Sequence, residues 1–382
     1  MLDIATRIAY VAALAACTAS ILYLLWAVFS VWLFERRRAA DARHWEPVTI
    51  LKPICGLDPG LYDNLRSFCE QDYPEYQVIF GVHNAGDPAL PVVEQVIRDL
   101  PGRDLALVVD ERAIGTNGKV SNLVNMSARA KHGILVVADS DMRVTPDYLK
   151  SVAAPFTDQN VGAVTCLYKS SPVGGVASKL GSMFINEWFL PSVLVALTFM
   201  PVRFCFGATM AVRRAALDAI GGFPALANHI ADDFMLGKLI AGRGFKVVVA
   251  RYVVENVVLE PDLKSLVRHE MRWARTVRLV QPLGYSFSFV TNGVTMALLF
   301  LLVSGFSALG VLLMGVVLSL RLLLHYYLRA AFSLAGAGSP WLVPLRDILG
   351  FVVWCRSFFG RGVEWREQSF MLQPDGQLAT KG

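Results

Sequence analysis

Two aspartates separated by one residue, Asp139 and Asp141, follow a short apolar run at residues 134–138. The run predicts a buried strand of an α/β sheet, and open α/β sheets bind ligands at the carboxyl ends of their strands. Two carboxylates at this spacing can bind a divalent cation, and the cation can bind a diphosphate. Aspartate and serine are also common turn residues, and the sequence Asp-Ser-Asp taken alone favours a simple turn. Charged residues elsewhere in the chain reverse that preference.

Two further aspartates follow predicted elements of the same region. Asp87 lies in a polar turn after the predicted strand at residues 76–82, and Asp233 lies in the first turn of a helix predicted to begin near His229. An acidic residue in a first helical turn is also favourable simply because of the helix dipole. Asp233 therefore has a structural interpretation beside a chemical one.

A basic helix is predicted over residues 263–278. Its charged and aromatic residues are Lys264, Arg268, His269, Glu270, Arg272, Trp273, Arg275 and Arg278. The same composition is typical of a cationic helix that faces solvent or lipid headgroups. The order His269-x-x-Arg272-Trp273 gains meaning only together with the acidic residues that precede it.

The elements that must position these residues belong to a chain of 382 residues with a mean hydropathy of +0.46, 54% apolar and 18% charged residues. These values indicate a soluble domain joined to membrane segments. The net charge of +5 is concentrated in arginines at the ends of apolar segments, which favours contact with a membrane surface and not with nucleic acid. The six cysteines form no C-x-x-C pair, so neither a zinc site nor a disulfide framework is indicated.

Two uncharged stretches are long enough to cross a bilayer. Residues 8–34 form one span, and the arginines that follow it predict that the next domain faces the cytoplasm. Residues 279–320 can form two membrane helices with a break near Ser304-Gly305. Residues 341–359 contain three charges and fit a third span, a re-entrant segment or an interfacial helix.

Strands and helices alternate between the membrane segments, which predicts a parallel sheet. The predicted strands are residues 48–51, 76–82, 105–109, 134–138, 161–168, 207–212, 246–250 and 252–258, and the predicted helices are residues 61–69, 91–100 and 119–129, a helix from about 229, and residues 263–278. Residues 180–206 are apolar and aromatic but make a poor spanning helix. Core packing, a membrane-interface segment and the wall of an apolar pocket remain open for them.

The order of these motifs resembles family-2-like glycosyltransferases with a GT-A fold. A closer resemblance is to ceramide glucosyltransferases and the related bacterial hopanoid-associated glycosyltransferases, over about residues 8–366. It is carried by LKPICGLDPGLYDNL at 51–65, QDYPEYQV at 71–78, DPA at 87–89, Asn117-x-Lys119, Asn122-Leu123 and IADDFMLGKLIAGRGF at 230–245. The chain departs from the family pattern at His269, where glutamine or arginine is usual, and only Asp87 is available in the first acidic motif.

The resemblance implies an α/β GT-A domain with an N-terminal transmembrane helix and a C-terminal membrane segment of two or three helices. We expect an anchor and basic linker at residues 1–45, a cytoplasmic GT-A domain at 46–278, membrane helices at 279–360 and a polar tail at 361–382. The implied location is a bacterial inner membrane.

The implied reaction is metal-dependent, inverting transfer of one sugar from UDP-glucose or UDP-N-acetylglucosamine to the hydroxyl of a membrane lipid, ceramide or hopanoid. In this scheme Asp139 and Asp141 bind Mg²⁺ or Mn²⁺, and Asp233 is the general base. Arg272 binds the diphosphate and Trp273 packs beside a sugar. The resemblance also implies that five residues contact the nucleotide sugar: Asp87, Lys119, Asn122, Asp139 and His269.

Two other classes of protein compete with this interpretation. A processive polysaccharide synthase needs a channel for its growing chain, and the predicted spans are few for that purpose. A transporter would keep ionisable residues inside its spans, and residues 279–320 contain no charged residue. A non-catalytic membrane scaffold would be excluded by metal-dependent hydrolysis of a UDP-sugar by the purified protein.

Overall fold

The computed structural model describes residues 4–37, 44–334, 336, 338–360, 362–365, 368–372 and 378–380. The chain forms two compact units. A sheet unit comprises Arg38–Lys169, Pro201–Leu259 and Gln368–Gly382, and a helical unit comprises Met1–Arg37, Ser170–Met200 and Glu260–Glu367. The predicted domain boundaries at residues 45, 278 and 360 stay predictions.

The strands are β1 (Val48–Ile54), β2 (Tyr76–Val82), β3 (Leu105–Val109), β4 (Ile134–Val137), β5 (Met142–Arg143), β6 (Val161–Pro172), β7 (Met210–Arg213), β8 (Lys246–Val258), β9 (Gly362–Trp365), β10 (Gln368–Leu372) and β11 (Leu378–Thr380). The first eight form one sheet in the order β3-β2-β1-β4-β7-β6-β8-β5. The strands β9, β10 and β11 lie within residues 361–382, for which the sequence predicts a polar tail.

The helices are α1 (Ile4–Glu35), α2 (Leu61–Cys69), α3 (Leu90–Asp99), α4 (Gly118–Ser127), α5 (Tyr148–Ala153), α6 (Val176–Met183), α7 (Leu190–Phe199), α8 (Arg214–Ala219), α9 (Asp232–Gly242), α10 (Leu263–Val280), α11 (Pro282–Phe287), α12 (Gly293–Val303), α13 (Ala308–Ala331) and α14 (Val343–Ser357). A π-helical turn at Phe184–Phe189 joins α6 to α7.

The sheet is mixed, so the prediction of a fully parallel sheet was wrong for its second half. β3, β2, β1 and β4 are parallel, whereas β7 is antiparallel to both β4 and β6, and β5 is antiparallel to β8. Parallel neighbours need a crossover that returns the chain to the same end of the sheet. After β6 the chain instead runs through α6 and α7 of the helical unit, and it re-enters the sheet as the antiparallel strand β7.

β1 continues to Ile54 through Lys52-Pro53, where the sequence predicted its end. Its pairing with β4 stops at Leu51, and beyond that residue β1 pairs with β2 alone. A proline lacks the N–H donor and is tolerated where a neighbouring strand is missing. Lys52 is therefore part of the strand and lies fully buried beneath its carboxyl end.

α9 begins at Asp232, three residues after the predicted start at His229. The carbonyls of Ala227 and His229 accept hydrogen bonds from the backbone N–H and the side-chain amide of Asn117. These residues are therefore held in a loop. The buried faces of β1, β2, β4, β6, β7, α4 and α9 meet in one apolar core.

Three stretches among the described residues are long and apolar enough to cross a membrane: α1, Val176–Phe199 and α13. A fourth is formed if the bent pair Pro282–Thr291 and Gly293–Val303 counts as one span. The expected N-terminal helix and the break near Ser304-Gly305 are both present.

The expectation that residues 180–206 make a poor spanning helix has to be corrected for Val176–Phe199. Glu187 is buried and accepts a hydrogen bond from His325, so it does not face lipid. Pro191 lies in the first turn of α7, where its missing N–H is not needed. Both residues are therefore compatible with a helix in an apolar environment.

Candidate active site

Asp139 and Asp141 directly follow β4, as the sequence predicted, and their surroundings differ. The Asp139 side chain is 35% exposed and its Oδ1 atom lies 2.7 Å from Lys119 Nζ. Asp141 Oδ2 accepts a hydrogen bond of 2.9 Å from Asn256 Nδ2. Asp141 Oδ1 is buried and has no hydrogen-bonding partner among the residues that the structure describes. One aspartate thus faces solvent and the other offers an unused buried oxygen.

Lys119 connects the end of β4 to the start of α9. It lies in the first turn of α4, and the side chain of Asn117 caps that helix by accepting from the Val120 N–H. The Lys119 ammonium lies 2.7 Å from Asp139 and 3.5 Å from Asp232. A single lysine therefore neutralises part of two carboxylates that come from different elements.

Asp233 borders the same space as Asp139. Its Oδ1 atom accepts a hydrogen bond of 2.7 Å from the Phe234 N–H at the start of α9. A Cβ atom placed on Gly207 would lie 3.3 Å from Asp233 Oδ2 and 3.6 Å from Asp139 Oδ2. Both carboxylates thus face the bare backbone of Gly207, which leaves this space open.

Burial and mutual repulsion change the protonation of these aspartates. Burial raises the pKa of Asp141 to about 7, and the negative charges of Asp139 and Asp58 act in the same direction. Burial and then the charge of Asp232 raise the pKa of Asp233 to about 7. The site therefore holds more carboxylates than its own cations can neutralise, as expected where a cation binds.

Two lysines supply those internal cations. Burial lowers the pKa of Lys52 to about 7, against the opposing effect of Asp139 and Asp141. Burial also acts to lower the pKa of Lys119, but Asp139 and Asp232 outweigh it and raise that pKa above its usual value. Lys119 is thus the firmly charged lysine of the site.

Asp87 and Asn122 contact the backbone of the sheet unit. Both carboxylate oxygens of Asp87 accept from the Gly56 N–H at 3.0 Å, and one also accepts from the Ala89 N–H. Asn122 is buried on α4 and donates to the Gly81 carbonyl of β2 at 2.8 Å. Their predicted contacts with a nucleotide sugar stay predictions.

His269, Arg272 and Trp273 belong to the helical unit, on α10. His269 Nδ1 lies 2.9 Å from Glu260 Oε1, and its ring packs edge-on against Trp273 at 5.2 Å. Trp273 also packs against Phe184, with ring centroids 5.5 Å apart. The structure thus brings Lys119, Asp139 and Asp233 together in one unit and His269 and Trp273 together in the other. The roles predicted for the α10 residues stay predictions.

Four residues that the structure places at the site had no role assigned from the sequence: Lys52, Asp58, Asn117 and Gly207. Lys52 had a signal, because a lysine inside the apolar run VTILKPI is unusual for a buried strand. Asn117 could have been found as the helix-capping residue before α4. Gly207 had none, because the sequence does not show which side chains approach a glycine.

Among the residues that the structure describes, no three or more His, Cys, Asp or Glu side chains converge as a ready-made metal cage. The chain therefore offers at most paired carboxylates at the end of β4. Mg²⁺ in particular is commonly held by one or two carboxylates together with water and substrate phosphate oxygens. The unpartnered Asp141 Oδ1 atom fits such a site.

The sheet and its end-of-strand carboxylates define a GT-A fold. A solved mannosyltransferase from Pyrobaculum calidifontis, in complex with GDP-Man and Mn²⁺, superposes with a TM-score of 0.58 at 18% identity, covering 92% of this chain and 99% of that chain. The model of glycosyl transferase family 21 matches residues 11–378. The chain belongs to that family and is a glycosyltransferase, as the resemblance implied.

Several relatives are ceramide glucosyltransferases. Ceramide glucosyltransferase 1 of Caenorhabditis elegans is 23% identical over 94% of this chain and 79% of its own length. Ceramide glucosyltransferase 3 of the same organism is 22% identical over 99% of this chain and 83% of its own length. The Candida albicans ceramide glucosyltransferase is 33% identical, over 29% of this chain and 23% of its own length.

Proposed function

We propose that the protein transfers a single sugar from UDP-glucose or UDP-N-acetylglucosamine to the hydroxyl of a membrane lipid, ceramide or hopanoid, with inversion at the anomeric carbon. The observation that carries this proposal is the convergence of Lys119, Asp139 and Asp233 around Gly207. The apolar helices and the names of the relatives support a lipid acceptor. The mannosyltransferase with bound GDP-Man supports a nucleotide-sugar donor.

Asp139 and Asp141 would hold Mg²⁺ or Mn²⁺. The buried, unpartnered Asp141 Oδ1 atom and the excess of carboxylates fit such a cation. When bound, it supplies positive charge to the diphosphate of the donor. The Mn²⁺ bound to the mannosyltransferase agrees with this proposal.

Lys119 adds a fixed positive charge beside Asp139, where the negative charge of departing UDP develops. Asp87 and Asn122 hold the backbone after β1 and β2, and we expect the nucleotide to bind against this frame. The family motif further assigns diphosphate binding to Arg272, sugar packing to Trp273 and donor contact to His269.

Asp233 acts as the general base. Its Oδ1 atom is fixed by the Phe234 N–H, so Oδ2 is available to accept a proton beside Gly207. The acceptor oxygen attacks the anomeric carbon as the bond from that carbon to UDP breaks. The hydroxyl proton passes to Asp233, and UDP leaves with the bonding electrons. A single displacement of this kind inverts the configuration.

Substitution of the base tests this assignment. We expect Asp233→Asn to lower kcat by about 10²- to 10⁴-fold, which is the usual contribution of general base catalysis, while UDP still binds. Sugar transfer by purified protein and UDP binding by calorimetry are measured side by side. Asp218→Asn, an exposed aspartate of α8, is the matched control. Unchanged turnover in Asp233→Asn would contradict the role.

The lipid product tests the reaction itself. Purified protein in nanodiscs is given each UDP-sugar with ceramide or with a hydroxylated hopanoid, and products are identified by mass spectrometry. One sugar on one lipid supports the proposal, whereas a polymer indicates a processive synthase. Full activity after EDTA treatment would remove the metal from the mechanism.

The proposed location is the cytoplasmic face of a bacterial inner membrane, because arginines follow α1 in the sequence. Protease accessibility of the sheet unit in inverted and right-side-out vesicles checks this orientation. Cleavage only in inverted vesicles is expected.

A further inference from the structure

The stretch at residues 51–65, LKPICGLDPGLYDNL, carries part of the family resemblance, and none of its side chains has been given a role in the proposed reaction. It covers the end of β1, the following loop and the first turns of α2. Three of its polar side chains, Lys52, Asp58 and Asn64, contact residues 139 and 140 at the end of β4. The stretch therefore surrounds the proposed metal ligands without supplying one.

Lys52 contacts the Asp139 backbone from within the sheet. It has no exposed surface, and its Nζ atom donates to the Asp139 carbonyl oxygen. The ammonium also lies 3.7 Å from the ring centroid of Phe68 on α2. A buried cation without a partner is costly, and here the Asp139 carbonyl, the Phe68 ring and the neighbouring carboxylates stabilise it. Lys52 thus ties the position of Asp139 to β1 and α2.

Asp58 and Asn64 hold the middle residue of the motif. Ser140 Oγ donates to Asp58 Oδ2 at 2.5 Å, and Asn64 Nδ2 lies 3.4 Å from the Ser140 carbonyl oxygen. Asn64 Nδ2 also donates to the Pro59 carbonyl at 3.1 Å. Asp87 fixes the same loop through the Gly56 N–H. The hydroxyl of Ser140 is therefore tied to the loop after β1, and its carbonyl is tied to α2.

We infer that Lys52, Asp58 and Asn64 are positioning residues that set the geometry of Asp139 and Asp141 for the divalent cation. Ser140 takes part through its hydroxyl and is more than a spacer between two ligands. This inference rests on the proposed function, because it concerns the same cation. It gives the motif at residues 51–65 a physical role, which is to hold residues 139 and 140 by contacts from β1, the following loop and α2.

The test measures metal binding directly. Mn²⁺ binding to the full-length protein is followed by electron paramagnetic resonance in the presence of UDP, without sugar transfer. Residues that support metal ligands typically contribute about 10- to 100-fold in metal affinity. We expect Ser140→Ala and Asp58→Asn each to weaken Mn²⁺ binding by about 10-fold, and Lys52→Met by up to about 100-fold.

The double variant separates positioning from general destabilisation. If Asp58 acts through the Ser140 hydroxyl, Ser140→Ala combined with Asp58→Asn should weaken Mn²⁺ binding no more than either change alone. Melting temperatures are recorded for every variant. Asp72→Asn and Lys150→Met, which break an exposed ion pair of the same unit, are the matched controls.

Each outcome decides the inference. Wild-type Mn²⁺ affinity in Ser140→Ala and Asp58→Asn would overturn it and leave the proposed function intact. Additive losses in the double variant would also overturn the coupling between Asp58 and Ser140. A wild-type protein that binds no Mn²⁺ with UDP would overturn the metal-dependent function and this inference together. If Lys52→Met does not fold, the Ser140→Ala result still decides.

Discussion

Buried charges are arranged differently in the two units. In the sheet unit, Lys119 pairs with both Asp139 and Asp232, and Asp141 Oδ1 has no hydrogen-bonding partner among the described residues. In the helical unit, Arg346 and Glu270 form two hydrogen bonds of 2.5 and 2.7 Å while both are only 3% exposed. The candidate site of the sheet unit thus has an excess of negative charge. In the helical unit, each carboxylate oxygen of Glu270 has a guanidinium nitrogen of Arg346 as its partner.

A second matched pair connects α13 and α14. Arg321 contacts both carboxylate oxygens of Asp347, and the Val294 N–H also donates to that carboxylate. Glu187 and His325 extend the cluster, but Glu187 Oε2 and His325 Nε2 accept or donate no hydrogen bond among the described residues, so the complete match is limited to the two arginine–carboxylate pairs. α13 therefore carries buried ionisable residues. Residues 279–320, whose lack of charge was evidence against a transporter, end one residue before Arg321 and therefore exclude these ionisable residues.

Hydrogen bonding separates functional from structural buried charges. A buried pair with complete hydrogen bonding binds helices to each other and leaves no capacity for a ligand. Carboxylates that repel each other can still bind a cation. Titratable groups with perturbed pKa values cluster at functional sites. Removing one charge should therefore mainly lower the stability of the protein in the helical unit and mainly lower its activity in the sheet unit.

The largest expected effect is in the helical unit. Arg346→Ala leaves Glu270 charged, buried and unpaired, which typically destabilises a protein by about 3–5 kcal/mol. We expect a large fall in melting temperature and in yield, measured by fluorescence-detected gel filtration. Arg356→Ala, an exposed arginine of the same helix, should behave as wild type. A stable Arg346→Ala protein would contradict the structural interpretation of the pair.

Asp139→Asn is the matching change in the sheet unit. We expect kcat/KM to fall by about 10²- to 10³-fold, as when one preorganised electrostatic contact is lost. The melting temperature should change little, because Lys119 keeps Asp232 at 3.5 Å. Activity and thermal midpoint are measured on the same sample. A stability loss as large as that of Arg346→Ala would remove the contrast between the units.

Gly207→Ala sharpens the comparison inside the sheet unit. The new Cβ would lie 3.3 Å from Asp233 Oδ2, which is closer than most natural contacts. A small displacement of a reacting group costs up to about 10²-fold in rate, and we expect a loss below that limit at unchanged stability. Gly102→Ala, with open space around its position, is the control. Equal activity of both variants would show that the space beside Gly207 is not used.

The smallest effect is expected on the surface. Lys131 pairs with Asp104 at 2.7 Å, and both side chains are well exposed. Exposed pairs contribute about 0–1 kcal/mol, so Lys131→Ala should change neither the melting temperature nor kcat/KM measurably. The same assays report it. A clear loss would mean that pairing alone, without burial, decides the behaviour of charges in this protein.

Much of the fold could be predicted from the sequence, because local patterns determine it. α2, β2 and β3 have the predicted bounds, since each is a continuous apolar or amphipathic run between turn residues. The antiparallel half of the sheet was not predictable, because it depends on where the chain returns after α7. The local sequence pattern does not indicate at which strand, or in which direction, the chain re-enters the sheet.

The carboxylates of the candidate site were found through their order in the chain, and their supports were not. The sequence pattern predicts that the first strand ends before Lys52, whereas Lys52 is buried within that strand. Asp58 and Asn64 are ordinary turn and helix residues by type, and only the folded loop brings them to Ser140. Contacts between segments about eighty residues apart leave no local signal.

Arg346 and Asp347, which are neighbours on α14, also affect how the chain is assembled. Their partners lie on different helices, with Glu270 on α10 and Arg321 on α13, and both partners precede α14 in the chain. Removing one partner of a buried ion pair typically costs about 3–5 kcal/mol. α14 is therefore stable in place only after α10 and α13 have docked. Until α14 packs, Glu270 lacks the guanidinium of Arg346, and Arg321 has only Glu187 as a neighbouring carboxylate.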